Sequence, residues 1–176
     1  VTQRFCLDTS FLINGWNKRY PVNVFPALWD ALSGLMGRQL VFSCEEVYNE
    51  LKHQQDALFD WAKARRAAFE KPNEEILEEL ARIMAQFRNF AAQGGGSRNR
   101  ADPFVIAHAR VAGAVVVTDE EPVQRQKPTK PPKIPNVCEE IGVLWMPPAD
   151  FLAAAGIVFG AISPPPGAPR GQHIGS

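Results

Sequence analysis

The sequence predicts an α/β domain with a mostly parallel central sheet flanked by helices. Two observations carry this prediction. Short apolar runs suited to buried strands alternate with longer stretches in which apolar residues recur at three- and four-residue steps. The run Ala114 to Thr118 is continuous and rich in β-branched residues, the pattern of a strand covered on both faces. The chain has 176 residues, 45% of them hydrophobic. That suits one domain with a sizeable core and excludes a wholly disordered chain.

Taken in order, Phe5 to Leu7 reads as a strand that ends in Asp8-Thr9-Ser10. Phe11-Leu12-Ile13 begins a short helix that Gly15 can end. Val24 to Leu35 carries Phe25, Leu28, Trp29, Leu32 and Leu35 on one face, with Gly37 as a candidate C-cap. Gln39 to Phe42 reads as a second strand. Ser43 and Glu46 then form the pattern of a capping box, opening a helix through Val47, Glu50 and Leu51. Helices follow over 56–69 and 73–92, and Gly94-Gly95-Gly96-Ser97 breaks the second. Asp102-Pro103 starts another helix that Gly113 ends. Residues 114–118 form the third strand. Pro122 to Pro135 holds five prolines and reads as an extended loop. A helix over 137–141, a fourth strand over 143–145 and a helix over 150–155 complete the domain. The domain is expected to span 1–158, with 159–176 a disordered Pro/Gly-rich tail.

Charge and cysteine content narrow the function classes. Lys plus Arg is 19 and Asp plus Glu is 19, so no general polyanion coat is implied, although local patches remain open. Cys6, Cys44 and Cys138 are odd in number and far apart, forming neither a disulfide framework nor a zinc pair. The N-terminus has no secretory apolar stretch and no run is long enough to cross a membrane. A cytoplasmic protein of a reducing compartment, with no membrane contact, is the expectation.

In parallel sheets, ligands sit beyond the carboxyl ends of the strands. Asp8 follows the first strand, and Asp119 and Glu120 follow the third. Asp102 opens the helix leading into that third strand, and Glu50 lies in the helix after the second, four residues from Glu46. Carboxylates brought together repel unless a positive charge sits between them. An oxygen-only set suits a hard cation, Mg²⁺ or Mn²⁺, which can activate water and neutralise phosphodiester charge. His53, His108 and His173 are scattered, so zinc is not indicated. Each acid also has a plain reading: Asp102 as an N-cap, Glu50 as a solvated helix residue, Asp119-Glu120 as a polar turn.

These residues sit in motifs that resemble a known family. Phe5-Cys6-Leu7-Asp8-Thr9-Ser10-Phe11-Leu12-Ile13 looks like the opening strand-Asp-Thr-Ser/Asn-x-Leu-Ile of PIN domains. Val47-Tyr48-Asn49-Glu50-Leu51 looks like their second acidic motif. Ala101-Asp102-Pro103-Phe104-Val105-Ile106-Ala107 is similar to their Ala-Asp-x-x-Ile-Ala, with one extra residue before Ile-Ala. Val115-Val116-Val117-Thr118-Asp119-Glu120 resembles their closing strand-Thr-x-Asp. Val22 to Trp29, the Glu45 to Leu51 run and Lys133 to Cys138 look most like a PIN-like subfamily of small prokaryotic proteins. The similarity spans about residues 4 to 155. It implies a three-layer α/β/α fold and a metal-dependent endoribonuclease, commonly the VapC-like toxin of a type II toxin–antitoxin pair.

Under this resemblance Asp8, Glu50, Asp102 and Asp119 are the candidate catalytic residues. The same four with Glu120 are the candidate metal ligands. The position usual for the closing acid holds Glu120, with Asp119 one residue early, so either can be the ligand. Ser10 and Thr118 either orient water or phosphate or satisfy local backbone groups. Arg98 and Arg100 precede Asp102, and Arg125 and Lys127 follow Glu120, so these four are candidate RNA-phosphate contacts, the plain alternative being that they only keep their loops solvated. Expected partners are RNA, a cognate antitoxin and a second copy of the chain; the apolar helix faces over 24–35 and 73–92 are read by default as core packing, with an antitoxin or dimer surface as the sharper alternative. Trp16, Tyr20, Trp29 and Tyr48 are read as residues that pack or anchor a partner, with no chemistry of their own. The alternative function is a non-catalytic PIN-like module that binds protein or RNA. A haloacid-dehalogenase-type phosphotransferase wants a second Asp where Ser10 stands, and a receiver domain wants an acidic pair before its phospho-accepting strand. Both fit poorly.

Overall fold

A computed structural model describes residues 3–90, 100–124 and 131–159. Among these residues five short strands form one sheet: β1 Phe5–Leu7, β2 Val41–Cys44, β3 Phe69–Glu70, β4 Val115–Val117 and β5 Trp145–Met146, in the order β3-β2-β1-β4-β5. Every pair is parallel, with Phe5 opposite Val41 on one side and Val115 on the other. Strands β1, β2 and β4 are buried throughout, which accounts for their continuous apolar runs. Helices cover the sheet: α1 Thr9–Asn14, α2 Pro26–Gly37, α3 Glu45–Lys52, α4 Ala57–Lys63, α5 Glu74–Gln86, α6 Asp102–Ala112, α7 Ile134–Ile141 and α8 Pro148–Ala154. This is the predicted three-layer α/β/α arrangement with a parallel central sheet.

The strand order reverses between β1 and β4. That reversal opens a crevice at the carboxyl ends of the two strands, where Asp8 and Thr118-Asp119-Glu120 emerge. The core beneath it includes Leu7, Phe11, Leu12, Phe42, Val116 and Phe151. Trp29 packs edge-on against Trp16 and Trp61 at centroid distances of 4.7 and 5.2 Å, and its indole nitrogen donates to the Tyr20 carbonyl at 2.7 Å. Tyr48 packs on Phe69 at 5.5 Å. Trp29 is therefore a core residue, and Trp16, Tyr20 and Tyr48 are partly buried against the core, the packing alternative of the two expected.

Several local expectations are corrected. The second strand runs over Val41–Cys44 rather than 39–42, because Ser43 and Cys44 pair with Phe69 and Glu70. The Ser43 hydroxyl donates to the Leu7 carbonyl at 2.6 Å, so it caps no helix; Cys44 takes the N-cap position without a side-chain bond. The helix expected over 56–69 stops at Lys63, and Phe69–Glu70 instead forms β3, a strand missed in the sequence. Arg4 ties Glu70 at 2.9 Å, and Arg66 donates to the Phe69 carbonyl at 2.6 Å, fixing that edge. The expected 143–145 strand lies at Trp145–Met146. Helix α5 ends at Gln86 rather than 92. Gly37 stays helical, and Gln39 takes the left-handed turn at φ 59°. Gly113 does end α6, at φ 60°, where glycine carries no Cβ penalty. The Gly94–Ser97 break and the tail from 160 onward lie outside the described residues.

The apolar helix faces are largely spent on the core. Leu28, Trp29, Leu32 and Leu35 of α2 are buried, as are Ile76 and Ile83 of α5, leaving Val24, Leu77 and Met84 exposed. Glu79 of α5 is buried between Arg82 and Arg110 at 2.9 and 2.8 Å, tying α5 to α6. No described helix is long and apolar enough to cross a membrane.

Candidate active site

A cavity of about 600 Å³ opens in the crevice, lined by Asp8, Glu50, Asp102 and Glu120 together with Thr9, Ser10, Ile13, Asn14, His53 and Gln54. Four carboxylates from β1, α3, α6 and the end of β4 thus face one space.

Asp8 is the most tightly held. Its Oδ1 accepts the Thr9 backbone N–H at 2.6 Å, and its Oδ2 accepts the Ser10 N–H at 3.2 Å. The same Oδ2 accepts the hydroxyls of Ser10 at 2.5 Å and Thr118 at 3.0 Å. Those two hydroxyls in turn accept the backbone N–H groups of Asp119 at 2.9 Å and Glu120 at 3.2 Å. Ser10 and Thr118 therefore bridge the ends of β1 and β4 and orient Asp8, rather than presenting free hydroxyls to a substrate.

Glu50 is fixed from two sides. The Thr9 hydroxyl donates to one oxygen at 2.6 Å and the Ala101 N–H to the other at 3.1 Å. Asp102 is not the helix cap: Ala101 occupies that position, and Asp102 lies in the first helical turn, buried. Its plain reading as an N-cap is corrected for that reason.

Asp119 and Glu120 part company. Asp119 turns away, chelated by Arg19 at 2.6 and 3.1 Å and by the Asn14 amide at 2.8 Å. It borders a separate hollow of about 150 Å³ beside Tyr20 and Pro147. Glu120 faces the acidic cavity, accepting Lys133 Nζ at 2.8 Å and the Ile134 N–H at 3.1 Å.

The electrostatics reflect this crowding. The Asp102 carboxyl is pushed up to about 9, first by burial and then by the charges of Asp8, Glu120 and Glu50, with Lys133 opposing. Asp8 is raised to about 6 by burial above all, with Glu120 adding to it and the Ser10 and Thr118 hydrogen bonds working against it. Both groups ionise less readily than a free carboxyl, Asp102 far more so than Asp8, and a positive charge placed between them favours their ionised forms. The chemistry of this donor set fits a hard divalent cation. Among the described residues no three acidic, His or Cys side chains stand grouped as a ready-made ligand cage. Mg²⁺ needs only one or two protein carboxylates, because it keeps several of its waters. The three cysteines are free and buried, with their thiols pushed upward by burial, which leaves them unreactive.

Of the basic candidates, Arg100 is described and exposed at the entry to α6. Arg98, Arg125 and Lys127 lie outside the described residues. The sequence reading missed the supporting residues Thr9, Asn14, Arg19 and Lys133 as site members. Thr9 and Lys133 stood within the quoted motif segments, but nothing local pairs Arg19 with a partner 100 residues away.

A family model described as "Domain of unknown function (DUF4411)" matches residues 5–159. No curated protein matches the chain. Among solved structures, the chain is similar to VapBC2 from Rickettsia felis bound to a DNA fragment from their promoter. The identity is 12% and the TM-score 0.46, covering 82% of this chain and 98% of that one. VapBC-1 from nontypeable Haemophilus influenzae gives 14%, 0.47, 82% and 98% for the same quantities. PAE2754 from Pyrobaculum aerophilum gives 17%, 0.44, 89% and 98%.

Proposed function

The chain belongs to the DUF4411 family, and from that starting point we propose that it is a divalent-metal-dependent endoribonuclease acting as the toxin of a type II toxin–antitoxin pair. The observation that carries the reading is the convergence of Asp8, Glu50, Asp102 and Glu120 on one cavity at the strand-order reversal. The PIN-like motifs that hold the first three acids support it, and they alone supply the antitoxin expectation.

In this reading Asp8 and Asp102 are the principal ligands of Mg²⁺ or Mn²⁺, with Glu50 and Glu120 completing the acidic shell. When bound, such an ion lowers the pKa of water and neutralises phosphodiester charge. The chain's own residues do the positioning. Ser10, Thr118 and the Thr9 N–H fix the Asp8 oxygens. Thr9 and the Ala101 N–H aim Glu50, which is placed to orient or deprotonate an attacking water. Lys133 and the first turn of α7 hold Glu120. Asp119 serves as the anchor of Arg19 rather than as a ligand.

The test is cleavage of single-stranded RNA by the purified chain with Mg²⁺ or Mn²⁺ and with EDTA. Cleavage that depends on the added ion and stops in EDTA is the expected result. Intact RNA under all three conditions contradicts the reading. One observation favours a second reading, a non-catalytic module: Lys133 already neutralises Glu120, removing one carboxylate from the acidic set. In that case neither cleavage nor divalent-ion binding is observed.

A further inference from the structure

The acidic cavity is larger than a cation needs. An ion with a full shell of waters takes about 200 Å³, whereas the cavity measures about 600 Å³. The remainder is within the size range of a pocket for an organic group. Its walls differ in character. Asp8 and Glu120 enter from the strand ends and Glu50 and Asp102 from helices, and Ile13, His53 and Gln54 line the same space with an apolar side chain, an aromatic ring and an amide. Asn14, also in the lining, is already committed to Asp119. His53 and Gln54 are exposed and carry no such tie among the described residues. They lie where α3 gives way to a turn, immediately before Gln55, which takes a left-handed backbone at φ 47°. A non-glycine residue in that region is held there by its surroundings, at some strain.

We infer that Ile13, His53 and Gln54 form a base-reading subsite that seats one unstacked nucleobase of a single-stranded RNA beside the phosphate to be cleaved. The inference rests on the nuclease reading and deepens it. Each chemical requirement is met by a named group. A flipped-out base needs a flat partner to stack on, and the imidazole provides one. Its Watson–Crick edge needs a group that both donates and accepts, and the Gln54 amide does both. Ile13 covers apolar surface on the base. A base paired in a duplex cannot present its face to His53, so the subsite selects single strands.

The experiment compares wild type, His53→Ala, Gln54→Ala and the double variant in Mg²⁺. Substrates are short single-stranded RNAs that vary the base flanking the cut, with one version abasic at that position. The expected wild-type result is a preference among flanking bases of about tenfold and a loss of about tenfold on the abasic strand. Gln54→Ala flattens the preference. His53→Ala raises KM about tenfold with kcat nearly unchanged. The double variant cleaves intact and abasic strands equally. Cleavage by all variants with the wild-type preference overturns the subsite and leaves the nuclease reading standing. A wild-type chain that cleaves none of these RNAs overturns both.

Discussion

Asp8→Asn is expected to lower the rate of Mg²⁺-dependent RNA cleavage about 10³-fold while leaving the fold intact. The magnitude is that of removing one preorganised electrostatic group, here a carboxylate that would hold the cation neutralising phosphodiester charge. Asp8 is the acid at the strand-order reversal with four hydrogen-bond donors locked on it. The amide keeps the shape but loses the negative charge. One of its two heads is also a donor, facing hydroxyls that already donate. The hydroxyls can turn, but each oxygen of Asp8 also accepts a backbone N–H, from Thr9 or Ser10, so a modest loss of stability accompanies the loss of charge. Circular dichroism with a thermal melt checks the fold, and a single-turnover cleavage assay reads the rate. Cleavage within threefold of wild type rejects the role given to Asp8.

Asp102→Asn is expected to abolish cleavage as well, yet to stabilise the metal-free protein at pH 8. The sign follows from the raised carboxyl. An unfolded Asp ionises near 3.8, whereas folded Asp102 holds its proton up to about 9 and Asp8 up to about 6. Each contribution is neutral below the unfolded value. As pH rises past it, the unfolded chain ionises freely and the folded chain does not, so stability falls through about 6 for Asp8 and on toward about 9 for Asp102. Without metal, the melting temperature is therefore expected to drop between pH 5 and pH 9. Asparagine cannot ionise and removes the larger part of that slope. The gain at pH 8 is about 2 kcal/mol, or about 4–8 °C for a chain of this size. Calorimetric melts in EDTA across pH 5–9 supply the measurement. A variant that melts below wild type at pH 8 shows that Asp102 is held by favourable contacts and not by repulsion.

The elements most legible in the sequence were those whose burial leaves a period or a continuous run. The Val115–Val117 strand, the α6 stop at Gly113 and the carboxyl-end position of Asp8 all belong there. Strand β3 was not legible: it is two residues long and exists only through pairing with Ser43 and Cys44. That same pairing undid the capping box, because Ser43 satisfies its hydroxyl on the Leu7 carbonyl instead of on a helix. The local pattern resembled a capping box, but the Ser43 hydroxyl is taken by a tertiary partner and no cap forms. At the site, the motif order named the acids, and the geometry then separated Asp119 from Glu120. No local signal could do so, since the deciding contact, the Arg19 guanidinium, is 54% exposed at its own position and grips an Asp that is only 8% exposed. Side-chain direction after a strand end depends on which neighbour offers the better partner. That neighbour was set by topology.

The most direct test of the account is a calorimetric titration of the intact chain with Mn²⁺ at pH 7.5. Binding tighter than millimolar, lost when Asp8 and Asp102 are both changed to Asn, is the predicted result. A wild-type chain that takes up no Mn²⁺ in this range contradicts the claim that these carboxylates gather around a cation.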